Sequence, residues 1–393
     1  MTTSDKLDVT RYSRQILLPQ FGKKSQQQLL SKKILIIGAG GLGCPAALYL
    51  AGAGVGSLGI VDNDTVEISN LHRQIAHKES LEGKPKAESL REAIRSLNSS
   101  VQVQVILQRL TQYNVLEVIA DYDIVLDCTD NVLTRYVIND ACAVSRKPLV
   151  SGAAIGWDGQ ITVYCASNDC PCYRCIFPEP PPPHCVGSCD ANGVLGPIPG
   201  IIGCLQALES IKLAACIEQA QVLIGRLLVW DGLTSKCRVF QLRTRNPNCV
   251  ACGVESRKDF CDYDYASFIG CSPSVCVIPS EKRLSPREAK ERIAQSNGDS
   301  SEYFCLDVRP SVQYELCHIE GFHNIPLDQL ASRVTEIQQQ VNQGKRILVI
   351  CRRGNASQQA VALLSSWNIH PVYDIFGGIE EWRKQCDPSL PYY

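Results

Sequence analysis

The chain carries no excess of charge of either sign: 39 Lys and Arg stand against 40 Asp and Glu, a formal net charge of -1. That balance excludes bulk attraction to nucleic acid or to an anionic membrane as the basis of its action. No internal repeat is visible, and Met1–Arg14 has no apolar signal core, so a cytosolic chain is expected. A further absence is local. Between Ile34 and Val61 there is no charged residue, which on length alone suits a membrane span. Eight glycines and Pro45 interrupt that stretch, and its pattern reads instead as strand, turn, helix and strand.

Cysteine is what the chain has in plenty: 21, an odd number, without a secretory signal. A disulfide framework is therefore not expected, whereas free thiols, metal ligands and reactive sulfur are. Cys44, Cys128, Cys142 and Cys204 lie in apolar runs and read as small buried residues. A length of 393 residues suits two domains. Over residues 1–255, strand patterns at Ile34–Ile37, Leu58–Asp62, Val101–Ile106, Ile124–Asp127, Pro148–Ser151 and Gln160–Tyr164 alternate with helical ones such as Lys86–Leu97. This predicts an α/β domain with a mainly parallel, covered sheet. Residues near 165–200, with Pro180–Pro183 among them, form a long irregular insert. Residues 256–280 read as a linker, and strand and helix signals resume over 281–393 as a smaller α/β domain.

Gly38-Ala39-Gly40-Gly41-Leu42-Gly43 follows an apolar strand and opens a helix, a Rossmann-like turn. Glycine lets the backbone approach a phosphate while the helix terminus supplies N–H donors. A nicotinamide-dependent enzyme is the competing reading, and Asp62 suits a ribose hydroxyl under either. The block Asp62 to Gln74, with Ser69, Asn70, Leu71 and Arg73, then Lys86, then Asp130 and Asn131 beyond the next buried strand, separates the two. Displacement at an α-phosphate needs cations and a carboxylate for magnesium, whereas hydride transfer needs few. Two Cys-x-x-Cys knuckles, Cys172–Cys175 and Cys249–Cys252, can together complete a four-thiolate zinc site; unrelated or redox pairs are the alternative, and Cys170 is a less well-spaced fifth thiol. Cys189, in the insert before an apolar helix beginning near Ile198, is a candidate loop nucleophile, with Cys185 nearby. Late in the chain, Cys351 ends a buried strand, and Gly354 lets the following N–H groups curl toward its sulfur as a nest for thiolate or persulfide, with Arg352 and Arg353 adding positive charge.

The run Arg11 to Pro19, the glycine turn, the Asp62–Gln74 block and Cys128-Thr129-Asp130-Asn131 resemble the ubiquitin-activating superfamily, most closely its bacterial molybdopterin-synthase adenylyltransferase branch. The resemblance implies that Gly38, Gly40, Gly41, Gly43, Asp62, Ser69, Asn70, Leu71, Arg73, Lys86, Asp130 and Asn131 serve ATP and Mg2+. It also implies that Arg14 reaches the triphosphate of a neighbouring subunit in a homodimer, that Cys172, Cys175, Cys249 and Cys252 hold structural Zn2+, and that Cys189 takes the thioester-type position. Cys305-Leu306-Asp307-Val308-Arg309, His318 to Pro326, the Cys351 loop and Phe376 to Trp382 resemble a rhodanese domain; Ala356 stands where related fused loops often have an acid.

Together the two parts resemble the eukaryotic bifunctional activators of ubiquitin-like sulfur carriers, which serve molybdenum-cofactor synthesis and tRNA thiolation. The expected activity is ATP-dependent adenylation of a carrier's C-terminal glycine, followed by sulfur transfer from a Cys351 persulfide charged by a cysteine desulfurase. The partners implied are proteins with Gly-Gly tails, not RNA and not a membrane. The rivals are a conventional activating enzyme with a non-catalytic rhodanese module, the nicotinamide enzyme, and a dead scaffold.

Overall fold

The computed structural model describes residues 7–180, 193–254, 261–268, 278–295 and 302–391. The chain divides into two compact units, Met1–Cys271 and Ser272–Tyr393.

The first unit is built on an eight-stranded sheet of order β3-β2-β1-β4-β5-β6-β7-β8. The strands are β1 Lys33–Ile37, β2 Ser57–Val61, β3 Gln102–Ile106, β4 Ile124–Asp127, β5 Leu149–Ile155, β6 Asp158–Tyr164, β7 Arg226–Asp231 and β8 Lys236–Gln241. From β3 to β5 the pairing is parallel. From β5 to β8 it is antiparallel.

Successive residues of a strand face opposite sides, so a strand covered on both faces must be apolar throughout. β1 shows this. Ile34 and Ile36 join the core beneath the helices Gly43–Ala53, Lys86–Leu97 and Pro197–Ala214, whereas Leu35 and Ile37 join the core beneath Val132–Ser145. Each fully buried side chain of this size stabilises the fold by roughly 1.5–3 kcal/mol. The charge-free stretch Ile34–Val61 is accordingly β1, a turn, a helix and β2, and no described helix is long and apolar enough to cross a membrane.

Some local features depart from the sequence reading. The irregular insert contains a helical turn, Tyr173–Ile176. The apolar helix expected near Ile198 is present and starts at Pro197, where a missing N–H costs nothing. The hairpin β7–β8 was not foreseen. β7 is half-buried along its length and β8 exposed along its length, so neither carries a burial period. Cys44, Cys128 and Cys142 are buried as expected, whereas Cys204 is half-buried because its helix shows one face to solvent.

Chain order places the crevice. From β1 the chain moves outward through β2 to β3, then returns to β4 on the other side of β1, opening a gap at the carboxyl ends of the central strands where ligands bind in such sheets. The second unit is a five-stranded, all-parallel sheet of order β11-β10-β12-β13-β9, formed by β9 Arg283–Leu284, β10 Tyr303–Asp307, β11 Phe322–Asn324, β12 Arg346–Ile350 and β13 Val372–Ile375. The helices Ala356–Ser366 and Gly378–Gln385 pack on its opposite faces.

Candidate functional site

The gap in the first unit is a cavity of about 370 Å³. Gly38, at φ 100°, ends β1; a Cβ there would stand 2.7 Å from the Cys128 carbonyl, and one at Gly43 would stand 1.9 Å from the Gly38 carbonyl. The turn therefore requires glycine at positions 38 and 43. Asp62 follows β2 and is gripped by the Ala39 N–H at 2.7 Å and the Asp64 N–H at 2.8 Å. Burial pushes its carboxyl up, against the two amides and Lys86, which pull it down. Lys86, with a side chain 8% exposed, reaches Asp64 at 3.2 Å.

Beyond β4, the loop Cys128–Asn131 is tied to buried Asp127, which accepts from Thr129 Oγ1 at 2.7 Å and Ser151 Oγ at 2.9 Å and pairs with Arg135 at 2.9 Å. Arg135 in turn donates to the carbonyls of Thr129 and Gly152. Asp130 and Asn131 stand exposed on that fixed loop and line the cavity. Two exposed carboxylates in the wall, Asp64 and Asp130, are the oxygen donors that a hard cation such as magnesium requires.

Of the residues predicted for ATP, Gly38, Gly40, Gly41, Asp62, Arg73, Lys86, Asp130 and Asn131 line this cavity. Gly43, Ser69, Asn70 and Leu71 do not; Asn70 accepts from Arg73 Nη2 at 2.6 Å and so steers that arginine. Arg14 is exposed on the helix Val9–Ile16 and is not part of the wall. Arg109, after β3, lines the cavity and was missed because no motif surrounds it. A second, largely apolar cavity of about 320 Å³ shares Leu42, Thr129, Asp130 and Ala154 with the first and continues past Ile155 and Tyr173 to Val229.

The four knuckle cysteines meet. Their ligand atoms all lie within 4.8 Å of one another, with Sγ–Sγ distances of 3.8 Å for Cys172–Cys175, 3.6 Å for Cys172–Cys249 and 3.4 Å for Cys175–Cys252. A tetrahedral zinc with bonds of about 2.3 Å sets sulfurs roughly 3.8 Å apart, so the set fits a metal ion. Cys170 stands outside it, with its thiol on the Val163 carbonyl at 3.4 Å. Arg174, between the first two ligands, forms a buried bidentate pair with Asp140, Nε donating to Oδ1 and Nη2 to Oδ2, each at 2.8 Å, over the Phe268 ring at 4.4 Å. Cys185 and Cys189 lie outside the described residues.

In the second unit, Cys351 follows β12 and is 2% exposed. Its sulfur accepts the Gly354 N–H at 3.1 Å and lies 3.1 Å from Ser357 Oγ, where the helix Ala356–Ser366 begins. Arg352 and Arg353 do not simply add charge, because both are bound by Glu380 at 2.9 Å. The Asp307-Val308-Arg309 motif is structural: the buried Arg309 grips Asp307 and donates to the Cys317 carbonyl.

Compared with known proteins, residues 12–251 match the ThiF family and residues 285–385 match the rhodanese-like domain. The chain is similar to the adenylyltransferase and sulfurtransferase MOCS3-1 of Zea mays, at 46% identity over 98% of this chain and 83% of that protein. It is similar to the MOCS3 protein of the same description from Caenorhabditis briggsae, at 44% over 99% of this chain and 97% of that one. The crystal structure of E. coli MccB with ATP superposes with a TM-score of 0.54 at 22% identity, covering 64% of this chain and 76% of that one, a likeness of fold. With both parts matched in the order in which they occur, and almost the whole length aligned, the chain belongs to the ThiF family, among members that carry a rhodanese-like domain behind the nucleotide-binding one.

Proposed function

We propose that this chain activates the C-terminal glycine of a ubiquitin-like sulfur carrier with ATP and then converts it to a thiocarboxylate with sulfur carried on Cys351. The reading draws on the relatives' description as adenylyltransferase and sulfurtransferase. The observation that carries it is a cradled Cys351 sulfur in the same chain as the cavity walled by the glycine turn, Lys86, Arg73 and Asp130.

In the first step a carboxylate oxygen of the carrier attacks the α-phosphorus and pyrophosphate leaves. Arg73 and Lys86 offset the developing negative charge. Asp130 would hold magnesium, which would supply positive charge against the negative charge that develops on the leaving pyrophosphate. The apolar cavity past Ala154 and Tyr173 gives the carrier's extended tail a dry path to the nucleotide. Arg14 serves the phosphates of a partner subunit in this reading, and the four cysteines hold zinc as a structural clip. In the second step the outer sulfur of a Cys351 persulfide attacks the acyl carbon, expelling AMP and leaving an acyl disulfide. Attack by the Cys189 thiolate on the Cys351 sulfur then frees the thiocarboxylate and leaves a Cys189–Cys351 disulfide for a thiol reductant to reopen. Carriers serving tRNA thiolation and molybdenum-cofactor synthesis, a cysteine desulfurase donor and a cytosolic setting complete the proposal.

The test is to incubate the protein with a Gly-Gly-tailed carrier, ATP and a desulfurase, then weigh the carrier. A gain equal to the sulfur-minus-oxygen difference is expected, with alkylation of the thioacid to separate it from oxidation. Cys351→Ala must abolish the product. Undiminished thiocarboxylate from that variant would hand the case to the conventional activating enzyme.

A further inference from the structure

Two arginines follow Cys351 directly, and one carboxylate takes both. Glu380, in the first turn of the helix Gly378–Gln385, receives Arg352 Nε and Arg353 Nε on the same Oε1, each at 2.9 Å. The backbone repeats the fastening: the Ile379 N–H donates to the Cys351 carbonyl at 2.8 Å and the Glu380 N–H to the Arg352 carbonyl at 3.1 Å. So close an approach requires Gly378, at φ 63°, where a Cβ would lie 2.3 Å from the Cys351 carbonyl oxygen. The turn after β13 and the loop after β12 are therefore one device. The Arg352 and Glu380 side chains are 14% and 22% exposed, so their charges are less screened than on open surface. The neighbouring Arg283 pairs with buried Asp374 at 2.8 Å.

We infer that Glu380 determines donor specificity at the Cys351 site: by binding both arginines it withholds part of their positive charge from the loop, which disfavours a dianion such as thiosulfate relative to a singly charged persulfide on a donor protein. The inference rests on reading Cys351 as the sulfur carrier and adds the residue that selects its donor. With a persulfide, the Cys351 thiolate attacks the outer sulfur, the donor's S–S bond breaks and the donor leaves as a thiolate. With thiosulfate the same attack expels sulfite. Both leave a persulfide on Cys351; they differ in the charge that must approach.

The experiment uses the full chain without ATP, with thiosulfate as donor and cyanide as acceptor, and follows thiocyanate at low salt. Glu380→Gln should lower the KM for thiosulfate about tenfold, with kcat little changed, and the gain should shrink as salt approaches about 0.15 M. Glu380→Asp keeps the charge and should stay near the parent. Arg353→Gln, at a side chain 46% exposed, should raise that KM several-fold. An unchanged KM in folded Glu380→Gln overturns the inference; if that variant does not fold, an unchanged KM in Arg353→Gln does so alone. Cys351→Ser separates the two levels: thiocyanate formation surviving in it removes the Cys351 reading itself, whereas its loss beside an unmoved Glu380→Gln removes only the inference about Glu380.

Discussion

His77 shows how a single residue outside every motif can govern the nucleotide turn. Its ring lies between Ser89 Oγ and the Ala39 carbonyl, both at 2.9 Å, with the Cys44 sulfur at 3.6 Å. Burial pushes its pKa below the ordinary 6.5, with Lys86 adding to the shift and the Ala39 carbonyl opposing it. The unfolded histidine takes a proton as pH falls through 6.5 while the folded one stays neutral, so the unfolded state binds more protons there. The stability this neutral ring contributes is complete above pH 6.5 and drains away below it. Thermal unfolding of the first unit should show a melting temperature that falls on acidification from pH 6.5, with a shallower slope in His77→Gln. Identical slopes in the two proteins would remove this account.

Among the elements, the short helix Tyr173–Ile176 has the most attached to it. Its ends supply Cys172 and Cys175, Arg174 anchors it to Asp140, and Tyr173 lines the apolar cavity. A metal ion held by Cys172, Cys175, Cys249 and Cys252 would offset the repulsion of four close thiolates, and its binding energy would become folding energy. Treatment with a strong chelator should release one zinc per chain and lower the first unit's melting temperature by about 5 °C or more. Carrier-dependent ATP–pyrophosphate exchange should fall with it, and the second unit's transition should not move in calorimetry. Cys249→Ser should reproduce all three effects. Full stability in that variant would make the cluster a redox pair of pairs rather than a clip.

For the whole molecule, the two chemistries should separate cleanly, since each compact unit holds its own core and its own reactive groups. Lys86→Met should cut ATP–pyrophosphate exchange by about 10²–10³-fold, the loss of one preorganised cation at a developing charge, and leave thiosulfate-to-cyanide transfer intact. Cys351→Ser should do the reverse. Only their combined output, the thiocarboxylate, should vanish in both. A single variant that removed both partial activities would contradict the assignment of one chemistry to each part.

What the order of residues settles by itself is local. An unbroken apolar run such as Ile34–Ile37 reads as a strand covered on both faces, and Gly43, where a Cβ would stand 1.9 Å from the Gly38 carbonyl, marks a turn too tight for a side chain at that position, because contacts over a few residues govern both. Paired knuckles and a glycine three residues after Cys351 were equally legible, since each brings its donors together within one turn of chain. The β7–β8 hairpin was not, because a strand half-buried or exposed throughout leaves no period to read. Nor was the placement of Arg109 in the nucleotide wall, or the capture of Arg352 and Arg353 by Glu380. Those depend on which strands lie side by side. Parallel pairing of β12 with β13 sets the Glu380 carboxylate, 28 residues beyond Arg352, against the Cys351 loop, a meeting of distant segments that only the tertiary fold decides because no local pattern links them.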